Sequence, residues 1–245
     1  MKKQIQQRTG CSGYYNRHWK NIFYPEKLAQ TKWFEFYSEQ FNTVELNTTF
    51  YRFPTSASLQ VWYKKSPQDF LFSVKAPKLI THLKRFNDCQ QKVDEFYLAC
   101  EQGLMNKLAC VLFQLPPSIQ YNEEKLEQVI SSLRPGFKNV VEFRHSSWWT
   151  KKVYDELAKH NITFCSVSHP AMPGTIIANT ATMYVRLHGV PKMFYSGYTE
   201  EQLEQLYRSI LKKRKLEEAY IYFNNTAGNE GILNALQFQK LIKAG

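Results

Sequence analysis

No C-x-x-C pair, no glycine-rich phosphate loop and no long apolar run occurs in this sequence. The five cysteines, Cys11, Cys89, Cys100, Cys110 and Cys165, are odd in number and mostly lie within apolar periodic segments. That pattern excludes a disulfide framework and points to buried thiols in a reducing compartment. Nothing approaches the roughly 20 apolar residues of a membrane span. The start, Met1-Lys2-Lys3-Gln4, is basic but leads into glutamine and arginine, so no secretory signal is expected. A cytoplasmic protein without a membrane partner is the expectation. Glycine is sparse, ten in 245 residues. The turn Gly10-Cys11-Ser12-Gly13-Tyr14 matches neither a dinucleotide fingerprint, a P-loop nor a G-x-S-x-G elbow, and reads as a tight polar turn. Acid is short as well: 21 aspartates and glutamates face 32 lysines and arginines, for a net charge of +11. Such a field attracts phosphates, nucleic acid and other anions. The densest basic run, Lys212-Lys213-Arg214-Lys215, closes a helical pattern, where cations complement the helix dipole.

What is present is a rhythm. Apolar, β-branched or aromatic runs recur near Ile5–Thr9, Thr43–Leu46, Phe70–Val74 and Leu108–Phe113, then near Asn139–Phe143, Ile162–Val167, Met183–Leu187 and Tyr220–Phe223. Strands buried on both faces read as continuous apolar runs, and alternation with amphipathic helices implies right-handed crossovers and a parallel sheet. Eight such units predict a single-domain α/β protein over residues 1–245, a TIM-type βα barrel of about eight mostly parallel strands with outer helices. With 43% hydrophobic residues there is ample material for one core. Pro25 suits a first helical position ahead of Trp33, Phe36, Tyr37 and Phe41. Asn122 is a candidate cap before Glu123 and Glu124, and Thr199 with Gln202 form a capping-box pattern. From Val167 to Thr182, Pro170, Pro173 and Gly174 predict an irregular loop in place of a helix.

Most strands end in polar residues, and a parallel barrel gathers those ends on one rim. Side chains two apart share a face, so Glu45 pairs with Asn47, Glu142 with Arg144, Arg186 with His188 and Tyr222 with Asn224. Inward barrel positions are normally Val, Ile or Leu, so this much buried charge needs pairing among itself or a ligand. An internal salt-bridge network is one reading. A rim pocket is the other, with Glu45, Glu142 and His188 as candidate catalytic groups. Its candidate ligand-binding groups are Ser12, Tyr14, Asn47, Tyr51, Lys75 and Gln114, with Arg144, His145, Arg186, Asn224 and Asn225. Two guanidinium forks and the helix N-terminus after Gly228 suit an anionic, phosphate-containing ligand. Tyr14, Tyr15, Trp19, Tyr51, Trp148, Trp149 and Tyr195 lie near the same loops as candidates for stacking.

Several segments together resemble the YecE-like family, domain of unknown function seventy-two. They are Gly10–Tyr14 with Trp19 and Phe23-Tyr24-Pro25, Val44–Tyr51, Lys75-Ala76-Pro77 with Thr81-His82, and Gln114-Leu115-Pro116-Pro117. Val141–His145, Arg186-Leu187-His188-Gly189 and Tyr222-Phe223-Asn224-Asn225 complete the set, in family order along nearly the whole chain. The resemblance implies a βα barrel with its signature residues at the carboxyl rim, and no established activity. Many members carry an acid near Ser168-His169, where this chain has none.

The residues leave enzyme and binding protein both open. One reading is a hydrolase of a phosphorylated or nucleic-acid substrate, with a glutamate as base and Arg144, Arg186, Lys75 and His188 stabilising charge. A metal-assisted version would recruit Glu45, Glu142, His145, His169 and His188, but no H-x-H or H-x-x-E-H signature appears, and no cofactor is expected. Glycoside cleavage by Glu45 and Glu142 is the alternative, weakened because Arg144 would hold Glu142 ionised. Lys75 also admits Schiff-base chemistry. A non-catalytic module for nucleic acid or a phosphorylated metabolite is the remaining reading. Oligomeric state is not legible.

Overall fold

A computed structural model describes residues 5–244; the basic start Met1–Gln4 lies outside them. Eight strands are present: β1 Gln6–Cys11, β2 Thr43–Leu46, β3 Leu71–Lys75, β4 Leu108–Gln114, β5 Asn139–Glu142, β6 Thr163–Ser168, β7 Thr182–Leu187 and β8 Glu218–Phe223. All pairings are parallel, in the order β1-β8-β7-β6-β5-β4-β3-β2. Every expected run became a strand, and all but the first half of β1 and the ends of some strands are buried on both faces.

The helices are α1 Trp33–Gln40, the single turn α2 Thr48–Tyr51, α3 Ser56–Lys65, α4 Gln90–Leu104, α5 Glu123–Ser132, α6 Lys151–Lys159, α7 Glu200–Leu211 and α8 Glu230–Ala244. Asn122 Oδ1 accepts from Lys125 N at 2.7 Å, and Thr199 and Gln202 close their box at 3.3 and 2.9 Å, as their spacing predicts. One expectation fails. Pro25 does not start a helix; the chain turns there so that Tyr24 stacks on Trp33 at 4.5 Å, and α1 begins eight positions later. Aromatic packing overrides the local helix signal. Between β6 and β7 no helix forms, in agreement with the prolines of that segment.

The ring is not zipped all the way round. No ladder joins β1 to β2. Instead the Tyr37 hydroxyl accepts from Cys11 N at 2.8 Å and donates to Thr43 O at 3.1 Å, bridging the two strands as a peptide group would. Gly10 permits this approach, since a Cβ there would sit 2.3 Å from Thr43 O.

The interior departs from the usual aliphatic layers. Tyr222 Oη lies 2.6 Å from Thr43 Oγ1 and 2.9 Å from Ser73 Oγ, and Tyr184 and Cys110 fill the same interior cluster. All five cysteines are free and buried. Among the described residues no helix is long and apolar enough to cross a membrane.

Candidate functional site

Above the tyrosine layer, at the carboxyl ends of the strands, lies a four-member ionic network. Arg186, on β7, gives Nη2 to Glu45 Oε1 at 2.8 Å and Nη1 to Glu142 Oε2 at 2.6 Å. Its Nε lies 3.2 Å from the same Glu45 oxygen, and Tyr184 Oη donates to the other at 2.6 Å. Glu142 is held from its second side by Arg144 Nε. Burial pushes the Glu142 carboxyl up, but the Arg144 and Arg186 guanidiniums outweigh it and hold it well below the usual carboxylate range. Arg186 likewise stays charged despite burial, because two glutamates face it.

His188 is fully buried beside this network. Arg144 Nη2 is 3.1 Å from its Nε2, and the Asn224 amide is 2.7 Å from its Nδ1. A guanidinium can only donate, so Nε2 is the acceptor and Nδ1 carries the proton; Asn224 must turn its carbonyl oxygen toward it. Burial, reinforced by Arg144 and Arg186, lowers the His188 pKa to about 3, so the ring is neutral.

A cavity of about 540 Å³ opens over the network. Lys75, at the end of β3, enters it with Nζ 2.7 Å from Gln114 Oε1 and 4.0 Å from the centre of the Phe50 ring. Burial and the neighbouring Arg186 lower the Lys75 pKa to about 7. The Thr49 hydroxyl, 2.6 Å from Lys75 O and 2.9 Å from Leu46 O, ties the ends of β2 and β3 together. Asn47 borders the cavity, and its buried Oδ1 has no hydrogen-bond partner among the described residues.

The sequence placed most of its candidates at this mouth, but at different depths. Asn47, Tyr51, Lys75, Gln114, Arg144, Arg186 and Asn224 line the cavity. Glu45, Glu142 and His188 do not; each is fully buried beneath it. All four glutamate oxygens are already engaged. Direct acid or base work by these carboxylates, which glycoside cleavage requires, therefore has no path to a guest in this geometry. Ser12, Tyr14, His145 and Asn225 also lie away from the cavity. His145 caps the turn Ser146–Trp148, accepting from Ser147 N at 3.2 Å. Asn225 donates to Ser196 O at 3.0 Å, and Tyr14 accepts from Trp62 Nε1 at 2.9 Å. Ser12 Oγ is buried and, among the described residues, has no hydrogen-bond partner. Of the seven aromatics put forward for stacking, Tyr51 alone lines the cavity; Trp19 donates to Gly228 O and Trp148 stacks on Phe143 at 4.1 Å as packing.

Sequence reasoning missed Phe50, His82 and Phe194 as cavity walls. His82 stands on a π-helical turn, Leu79–Leu83, and Phe194 on the loop that Gly189 folds back, where a Cβ would lie 2.8 Å from Ser196 O. Neither irregular segment has a sequence period. Burial and nearby Lys75 bring the His82 pKa down to about 4. The five candidate metal residues do not assemble: among the described residues, no three His, Cys, Asp or Glu side chains converge as ligands.

Residues 8–245 match the family described as Protein of unknown function DUF72. The chain belongs to that family. Within it, the Bacillus subtilis UPF0759 protein YunF is 25% identical over 89% of each chain. The crystal structure of a DUF72 family protein from Thermotoga maritima superposes with a TM-score of 0.87 at 31% identity, covering 97% of this chain and 99% of that one. A DUF72 protein from Enterococcus faecalis gives 0.83 at 18% identity, over 97% and 96%, which supports the fold. The family assignment agrees with the motif resemblance, and the barrel with the strand count.

Proposed function

We propose that this DUF72 barrel is a cytoplasmic receptor for a small anion bearing a phosphate or carboxylate group, seated in the rim cavity. One observation carries the reading. The cavity lining contains Lys75, Arg144 and Arg186 but no aspartate or glutamate, because both nearby carboxylates are locked below by arginines. Arg186 gives three of its N–H groups to Glu45 and Glu142, so Arg144, paired with Glu142 through Nε alone, and Lys75, paired with no carboxylate, are the basic groups best placed to meet a guest. Arg144 uses Nε on Glu142 and Nη2 on His188, and among the described residues no hydrogen bond uses Nη1. The volume lies within the roughly 300–1,000 Å³ typical of metabolite pockets. That favours a compact metabolite over a nucleic-acid strand, whose phosphates need cations spread along a groove. Hydrolysis of a bound phosphoester would draw its base from groups that reach the cavity, Lys75, His82 or His169, in place of the two glutamates.

Calorimetric titration with inorganic phosphate and with oxalate tests this. The expected result is saturable binding that survives moderate salt, weakened about tenfold or more by Arg144→Gln, the scale of one charge-assisted hydrogen bond. No saturable binding of either anion overturns the reading. So does tight oligonucleotide binding with a steep salt dependence that ignores Arg144.

A further inference from the structure

We infer that Lys75 is a carbonyl-capturing amine, forming a Schiff base with a small anion that carries an aldehyde or ketone. This rests on the anion-receptor reading and gives the guest a second functional group. The geometry is unusual for a lysine near two glutamates. Lys75 Nζ makes no ion pair with either, since Glu45 and Glu142 are both taken by guanidiniums. An ammonium has three protons to place, yet the one hydrogen bond found for Nζ among the described residues goes to the neutral Gln114 Oε1. The Phe50 ring covers another side; its face attracts the cation, but burial and the Arg186 charge outweigh that pull. The group is 9% exposed and opens on the cavity, not on bulk water.

A structural or purely electrostatic lysine would be better served by a carboxylate partner. This setting favours the uncharged amine instead. With a pKa of about 7, Lys75 at neutral pH carries a free-amine fraction roughly a thousandfold larger than an ordinary lysine. Its lone pair forms the C–N bond as the carbonyl π pair moves to oxygen. Nitrogen then loses one proton and oxygen gains one, giving a carbinolamine. Protonation of that hydroxyl lets it leave as water while the nitrogen pair forms the C=N bond. The net change is amine plus carbonyl plus one proton to iminium plus water, with no oxidant or reductant. Arg144 would hold the anionic end.

The test is reductive trapping. The protein is incubated with pyruvate in one arm and dihydroxyacetone phosphate in the other, reduced with borohydride, and examined by intact mass and peptide mapping. Expected is a single adduct on the Lys75 peptide, with a rate rising through about pH 7. It should be lost in Lys75→Arg, which keeps the charge, and suppressed by excess oxalate or phosphate. The arm that labels identifies carboxylate or phosphate as the anionic group. No adduct in either arm, or adducts scattered over surface lysines and unaffected by Lys75→Arg, overturns the inference. If oxalate and phosphate still bind in titration while trapping fails, the receptor reading stands and the amine chemistry falls. If neither anion binds, both fall.

Discussion

Arg186 and Glu45 meet under the cavity floor, Nη2 and Nε of the guanidinium lying 2.8 and 3.2 Å from one carboxylate oxygen. The opposite edge of the same guanidinium is 2.6 Å from Glu142. One cation thus joins strands on opposite sides of the ring, and its removal leaves two buried carboxylates with Arg144 as their nearest neutraliser.

Arg186→Met is therefore expected to destabilise the protein by about 3–5 kcal/mol, the cost of an uncompensated buried charge. Arg186→Lys should recover little, because one ammonium cannot reproduce a fork that grips two carboxylates. Urea unfolding of the three proteins at pH 7 is the measurement.

The neutral His188 gives stability a pH dependence of definite sign. Its folded pKa of about 3 lies below the ordinary value near 6.5, so between the two the unfolded chain takes up a proton that the folded chain refuses. Stability should fall as pH drops through that window, by up to about 1.4 kcal/mol per pH unit from this group. Glu142 acts in the same direction at lower pH, its contribution being present above the ordinary carboxylate value near 4.3 and lost as pH falls through its depressed folded value. Urea midpoints from pH 7 to 5 should show a shallower slope in His188→Gln than in the parent.

Asn224→Asp would set a carboxylate against the Nδ1 proton of His188. The expected outcome is a His188 pKa raised by about one to three pH units, followed through the imidazole carbon resonances in an NMR titration. An unchanged resonance profile would mean that the amide does not face the ring as inferred from Arg144.

At the seam of the ring, Tyr37→Phe removes the hydroxyl shared by Cys11 N and Thr43 O. Two buried backbone groups lose their partner, for an expected loss of about 1–3 kcal/mol in thermal or urea unfolding. Gly10→Ala should be worse, since its Cβ would meet both Thr43 O and the Tyr37 hydroxyl under 3 Å.

Much of this architecture was legible because it obeys simple periods. Most of the eight runs are apolar or β-branched on both faces, as a strand inside a covered sheet requires, while β1 is recognisable more by its place in the rhythm than by its Gln6-Gln7-Arg8 start. The two-residue alternation also put Glu45, Glu142, Arg186 and His188 inside the barrel. Alternation gives direction but not depth, so it could not tell that Arg186, Arg144 and Tyr184 would between them engage all four glutamate oxygens below the cavity. In three dimensions the salt-bridge network is present and forms the floor of the rim cavity. His82 entered only through the family resemblance and Phe194 not at all, because a π-helical turn and a glycine-folded loop place them, and His145 looked functional only because its capping role leaves no mark in spacing. Trp33 shows a local rule yielding to a tertiary one, with Tyr24 stacking where a helix was expected.

Charge and shape are carried by separate parts of the chain around the cavity. The ionic floor is anchored mainly on β2, β5 and β7, whereas Phe50, Tyr51, His82, Met193 and Phe194 stand on the connections above. Replacements in those connections can recut the outline of the chamber without disturbing a single ion pair. A barrel arranged this way can exchange one guest for another of different contour while keeping the same electrical footing.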